Sequence, residues 1–150
     1  MLSEIGSTGY DVMLFLHIAA VLVAMAPAFT HPLLERQSRS LDPASRSALL
    51  GFIAQNTRRV YAPALILIGL FGFGLVGMSD EVWEFGQTWV WLAILVWLAM
   101  NGVLHAMLLP AERALGSGDE SAGKKVETSG QILTVMLLVM LYLMVFKPGF

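Results

Sequence analysis

The sequence predicts an all-α fold: a four-transmembrane-helix bundle with both termini on the non-cytoplasmic side and a short cytoplasmic surface helix between spans 1 and 2. Three observations predict it. The 150-residue chain is 57% hydrophobic and 13% charged, with a mean hydropathy of +0.71, too apolar to cover a water-soluble surface of this size. Its apolar residues gather in four runs, at 12–29, 60–78, 89–109 and 132–146. Its basic residues are sorted to one side of those runs.

The first three runs approach the roughly 20 residues that cross about 30 Å of hydrocarbon at about 1.5 Å per residue. The fourth reaches that length only by including the uncharged stretch 128–131. The spans are therefore placed at approximately 10–31, 59–78, 87–109 and 129–147, in one integral membrane domain over 1–150. An apolar first run ending in Ala24-Met25-Ala26 resembles a secretory signal. The first eleven residues, however, carry Glu4 and Asp11 without Lys or Arg, and Pro27 comes directly after the would-be cut, so the segment reads as a retained helix.

Arg36, Arg39, Arg46, Arg58 and Arg59 lie between runs one and two, and Arg113, Lys124 and Lys125 between runs three and four. Eight of the nine basic residues thus share a side, and Lys147 alone faces the other, with Glu4, Asp11, Asp80, Glu81 and Glu84. The positive-inside rule puts both long connections in the cytoplasm and Tyr10, Trp83, Trp89 and Trp91 at the outer interface. Within the first connection, Asp42-Pro43 is a helix N-cap and first-turn pair ahead of Leu49, Leu50, Phe52 and Ile53, which predicts a surface helix feeding the second span. The second connection, 116–123, has no apolar face and is expected to be a flexible loop.

No basic patch suggests nucleic acid, and the bilayer itself is the expected partner. The absence of cysteine removes disulfides, thiolate metal sites and iron–sulfur clusters, so a cofactor would rest on His, Met, Tyr or carboxylate. An ionisable side chain in mid-span costs about 2.5–3.5 kcal/mol on insertion scales, which singles out the histidines. His17 lies roughly 10 Å inside the outer interface. His17, Ala20, Ala24, Ala28, His31 and Glu35 fall within about 60° on a helical wheel, a small-residue seam that admits a flat cofactor or simply a neighbouring helix.

A haem between His17 and His105 is disfavoured, because their depths differ by roughly 15 Å. At the level of His17, the fourth helix offers Met140 and the second offers Phe71 and Gly72, so His17 and Met140 are the candidate axial ligands of haem b. Spacings of four and seven put Asn101, His105 and Glu112 on one helical face. With His31 and Glu35, the pair His105 and Glu112 forms a candidate divalent-metal or haem-propionate site. The alternative is that these residues anchor helix ends, with His31-Pro32 closing the first span. Met136, Met140 and Met144 recur every four residues, as copper handling or core filling would require. Gly72-Phe73-Gly74-Leu75-Val76-Gly77 has the letters of a dinucleotide motif but lies in a span with no strand before it, and signals close helix packing.

Leu16-His17-Ile18, the stretch Arg58-Arg59-Val60-Tyr61-Ala62-Pro63-Ala64-Leu65-Ile66-Leu67 leading to Gly69, and His105 late in a span opened by Trp89 together carry a resemblance. They resemble the bacterial four-helix membrane proteins around the HemJ and CopD types, and more closely an uncharacterised integral membrane family related to them. The resemblance implies a multi-pass protein of the bacterial plasma membrane, with His17 as the residue associated with haem b. Phe29-Thr30-His31-Pro32-Leu33 replaces the expected aromatic-x-Pro-Arg-Leu stretch, and the third span has no lysine. These departures count against protoporphyrinogen oxidation, and what the resemblance still implies is haem binding or a redox-linked role. Two alternatives stand beside it: a non-catalytic subunit or assembly factor of a larger membrane complex or homo-oligomer, and a copper or proton pathway through Met13, His17, Asn101 and His105.

Overall fold

A computed structural model describes residues 5–149; Glu4, one of the acidic residues assigned to the outer side, lies outside them. Helix α1 covers Thr8–Ser38, α2 Pro43–Asn56, α3 Ala62–Gly77, α4 Thr88–Val103, α5 Leu109–Gly116 and α6 Gly123–Phe146. The join between α2 and α3, Thr57–Tyr61, is a π turn, and so is the join between α4 and α5, Leu104–Leu108. Four continuous helical stretches result, Thr8–Ser38, Pro43–Gly77, Thr88–Gly116 and Glu120–Phe146, each long and apolar enough to cross a membrane.

The π turns have a common cause. Pro63 and Pro110 each stand two residues after a widened turn. Proline offers no N–H, and its ring crowds the carbonyl four residues back, here Arg59 and Ala106, both inside the turns. Bonds from Ala62 N–H to the Thr57 carbonyl and from Leu109 N–H to the Leu104 carbonyl close the wider ring. The helix is carried through at the cost of one extra residue per turn. Pro27 and Pro32 do not break α1, which runs unbroken for 31 residues, about 46 Å. The helix itself does not end at His31-Pro32: it goes on to Ser38, whose hydroxyl donates to the Glu35 carbonyl.

Helix α1 packs along α3, and α4 along α6, while contacts from α3 to α4 and from α1 to α6 are sparser. The bundle is thus two pairs set side by side. Ala20, Ala62, Leu65, Ile68, Met100, Leu104 and Leu108 make their common core. Glycines let α1 and α3 approach: a Cβ on Gly74 would sit 3.0 Å from the Met13 sulfur. Phe15, Leu22, Phe29 and Leu33 point outward, each about two-thirds exposed, an apolar exterior that belongs against acyl chains.

Beyond the apolar spans, α2 and α5 form a cap at the basic end. Leu50, Ile53 and Leu115 bury one another there. Ser47 donates to the Gly116 carbonyl at 2.7 Å, and Arg46 pairs with Glu120. Helix α2 is the one expected after Asp42-Pro43. The segment 116–123, expected to be a flexible loop, is instead ordered by a turn, a 3₁₀ turn at Glu120–Ala122 and the first residue of α6, because Asp119 caps Ser121 N–H.

The Asp42 carboxylate accepts from the Ala44 and Ser45 N–H groups, both at 3.1 Å. The Ser45 side chain first, then the Ser45 and Ala44 amides, hold its carboxyl below the usual range. A lowered folded pKa means that the cap is fully formed above the ordinary carboxyl pKa and is lost as pH falls through the lowered value. Asp42→Ala is expected to speed hydrogen exchange of the first α2 amides at neutral pH, whereas the native chain shows this only in acid. Asp42→Asn, which keeps an accepting oxygen, should stay protected throughout.

Candidate functional site

The two helix pairs leave a cleft of about 1250 Å³ between them, lined by all four long helices. Small-molecule sites usually occupy about 300–1,000 Å³. Ile18, Val135 and Leu141 line the cleft and are also half exposed or more, so it opens sideways between α1 and α6, where contact is sparse.

His17, Ala24, Ala28, His31 and Glu35 all line it, so the alanine seam of α1 faces the cleft, with Ala20 in the core beside it. His17 sits where α1 passes the small residues of α3. Its Nδ1 lies 3.0 Å from the Ile68 carbonyl. A carbonyl only accepts, so Nδ1 carries the hydrogen, and Nε2 of the neutral ring keeps its lone pair. Among the described residues Nε2 has no hydrogen-bond partner. The ring stacks over Gly72, where an added Cβ would stand 3.5 Å from His17 Cε1. Met140 and Met144 from α6 line the same cleft, whereas Met136 packs against the core.

Across from His17, Trp97 donates from Nε1 to the Leu65 carbonyl at 2.7 Å, which turns the indole into the cleft wall. Phe73 meets it edge-on at 5.7 Å. The end predicted to be outer is closed by aromatic groups: Trp83 Nε1 donates to the Tyr10 hydroxyl at 3.2 Å, and Trp83 and Trp89 meet edge-on at 5.4 Å. Lys147 Nζ lies 4.4 Å from the centre of the Trp83 ring. This lysine is folded over the aromatic groups that close this end of the cleft.

At the opposite end, His31 Nδ1 stands 3.3 Å from Glu112 Oε1, and the Tyr61 ring meets the His31 ring edge-on at 5.5 Å. Glu35 is nearby and pairs with Arg39 at 3.2 Å. The proposed metal set of His31, His105, Glu35 and Glu112 does not assemble. His105 is exposed, its Nδ1 turned to the Asn101 carbonyl at 2.9 Å, while Asn101 donates to the Trp97 carbonyl. Among the described residues no group of three His, Asp or Glu side chains could hold a metal ion. The reason is the π turn at Leu104–Leu108: one extra residue rotates the helix beyond it by about 100°, so Glu112 turns inward while His105 faces out.

Sequence reasoning missed the Ile68 carbonyl, Tyr61, Trp97 as a wall of the cleft and the inward fold of Lys147. Only Lys147 left a signal, as a lone cation amid acidic residues. Comparison with protein-family models, curated proteins and solved structures finds no match for this chain.

Proposed function

We propose that this chain is a haem-b-binding, redox-linked protein of the bacterial plasma membrane, with its basic cap in the cytoplasm and both termini outside. The observation that carries the reading is the His17 ring, fixed through Nδ1 to the Ile68 carbonyl at 3.0 Å in the wall of a cleft of about 1250 Å³. Axial histidines are held this way: a carbonyl on one nitrogen sets the tautomer and raises the basicity of the other. The donor set also suits the group, since a neutral imidazole and a thioether ligate haem without adding charge to the span.

His17 would hold the haem iron through the ring nitrogen not engaged by Ile68. Met140, from the facing helix pair, is the candidate for the second position, and thioether ligation raises the potential relative to two histidines. Haem b held there supplies a one-electron ferric–ferrous couple. Trp97 and Phe73, in edge-on contact in the cleft wall, would give a bound haem apolar, aromatic surroundings. Lys147, over the aromatic groups at that end of the cleft, would be the cation suited to a propionate.

The test is an absorption spectrum of protein purified in mild detergent after expression with haem supplied, before and after dithionite. A Soret band with sharp reduced α and β bands is the expected result. A flat spectrum from well-folded protein would remove the reading and leave a non-catalytic membrane subunit in its place.

A further inference from the structure

Glu112 is 3% exposed, yet among the described residues neither of its carboxyl oxygens has a hydrogen-bond partner. His31 Nδ1, at 3.3 Å, is near enough to attract but is not aligned as a donor. Buried carboxylates are ordinarily satisfied by several donors, so this one is built for a donor that the described residues do not supply. Against the pair lies a nook of about 20 Å³, closed on its far side by Leu50, Ile53 and Leu115. That is room for a single water or an ammonium group. The nook shares His31, Glu35, Glu112 and Val126 with the wall of the large cleft.

The surroundings favour a donor with positive charge. Two carboxylates, Glu35 and Glu112, border the nook, and Glu127 of α6 lines the adjoining cleft. Arg36 and Arg39 line the adjoining cleft but not the nook; Arg39 is engaged by Glu35, and α2 lines the nook with the apolar Leu50 and Ile53. A metal ion would need ligands at about 2.0–2.6 Å, and no such group converges among the described residues. An ammonium group accepts partners at about 2.7–2.9 Å and brings three donors of its own. Beyond this charged end the cleft is lined mainly by apolar side chains and opens sideways between α1 and α6.

We propose that the inner end of the cleft binds an amphiphilic amine, with its primary ammonium head on Glu112 and Glu35 and its single apolar chain along the cleft. His31 and His17 are 14 residues apart on α1, about 21 Å, so this site does not rest on the haem reading.

The experiment titrates haem-free protein in dodecyl maltoside with tetradecylamine or with tetradecanol at equal mole fraction, and follows tryptophan fluorescence and thermal stability. The expected result is a saturable one-to-one response to the amine, a raised Tm, and no saturation with the alcohol. Glu112→Gln, which keeps the shape and removes the charge, should weaken amine binding at least tenfold. Equal responses to amine and alcohol in the native chain would overturn the proposal, and so would an unchanged affinity in Glu112→Gln; water would then be the occupant of the nook. The amine–alcohol comparison needs no variant, so it decides the matter even if Glu112→Gln does not fold.

Discussion

His17→Ala is expected to yield a folded, colourless protein from the same expression that gives the native chain its haem spectrum. The side chain makes one hydrogen bond, to the Ile68 carbonyl, and its ring borders an open cleft instead of filling the close-packed core. Its removal should therefore cost little more than that bond, about 0.5–1.5 kcal/mol, while taking away the axial nitrogen altogether. Imidazole added to the variant should restore part of the Soret band by entering the space left beside Gly72. His105→Ala is the matched control: that ring bonds to its own helix and faces outward, so its loss should leave the spectrum unchanged. Retention of the full spectrum in His17→Ala would transfer the ligand role to another side chain.

Gly69→Ala tests the seam between the helix pairs. A Cβ at position 69 would come within 2.3 Å of Cε2 and Cζ2 of Trp97, a distance that no small adjustment relieves. The indole is held there by its bond to the Leu65 carbonyl at 2.7 Å and has only the cleft to move into. The added methyl forces that move and breaks the bond, leaving the indole N–H without its acceptor while the Leu65 carbonyl keeps its place in the α3 ladder. Overpacking of this kind costs about 1–3 kcal/mol, and the lost indole hydrogen bond adds to it. The expected result is a clearly lowered Tm with shifted tryptophan emission, measured in detergent. Gly72→Ala is the contrast, since its Cβ would meet His17 at an ordinary 3.5 Å. An unchanged Tm in Gly69→Ala would mean that Trp97 has a second, equally good seat in the cleft.

Much of this architecture is legible in the residues. Apolar runs locate the spans because lipid admits only backbone whose hydrogen bonds are closed within the segment. Asp42-Pro43 announces α2 because an N-cap is a local interaction. The α1 seam comes from angular periodicity, which survives Pro27 since the helix stays unbroken. Depth alone places Gly72 beside His17, and the contact is there.

The features that the residues conceal have one physical root. Face assignments from 101 to 112 presume 100° per residue, and the π turn at Leu104–Leu108 violates that count, separating His105 from Glu112. Pro110 marks the place, but a proline in a span signals a kink, a break or a widened turn without distinguishing them. Backbone acceptors such as the Ile68 carbonyl leave no letter in a sequence. The extra length of the helices at the basic end is hidden because charged, polar turns of helix read as connections by hydropathy.

The two widened turns also act as phase steps. Within each long helix the residues before the turn keep one angular origin and those after it another, so the apolar half answers to the bundle and the polar half to the cap. A one-residue deletion within Leu104–Leu108 would cancel the step while leaving Glu112 itself unchanged, carrying it from the inside of the protein to its outside. Chain length at that point sets the address of the carboxylate.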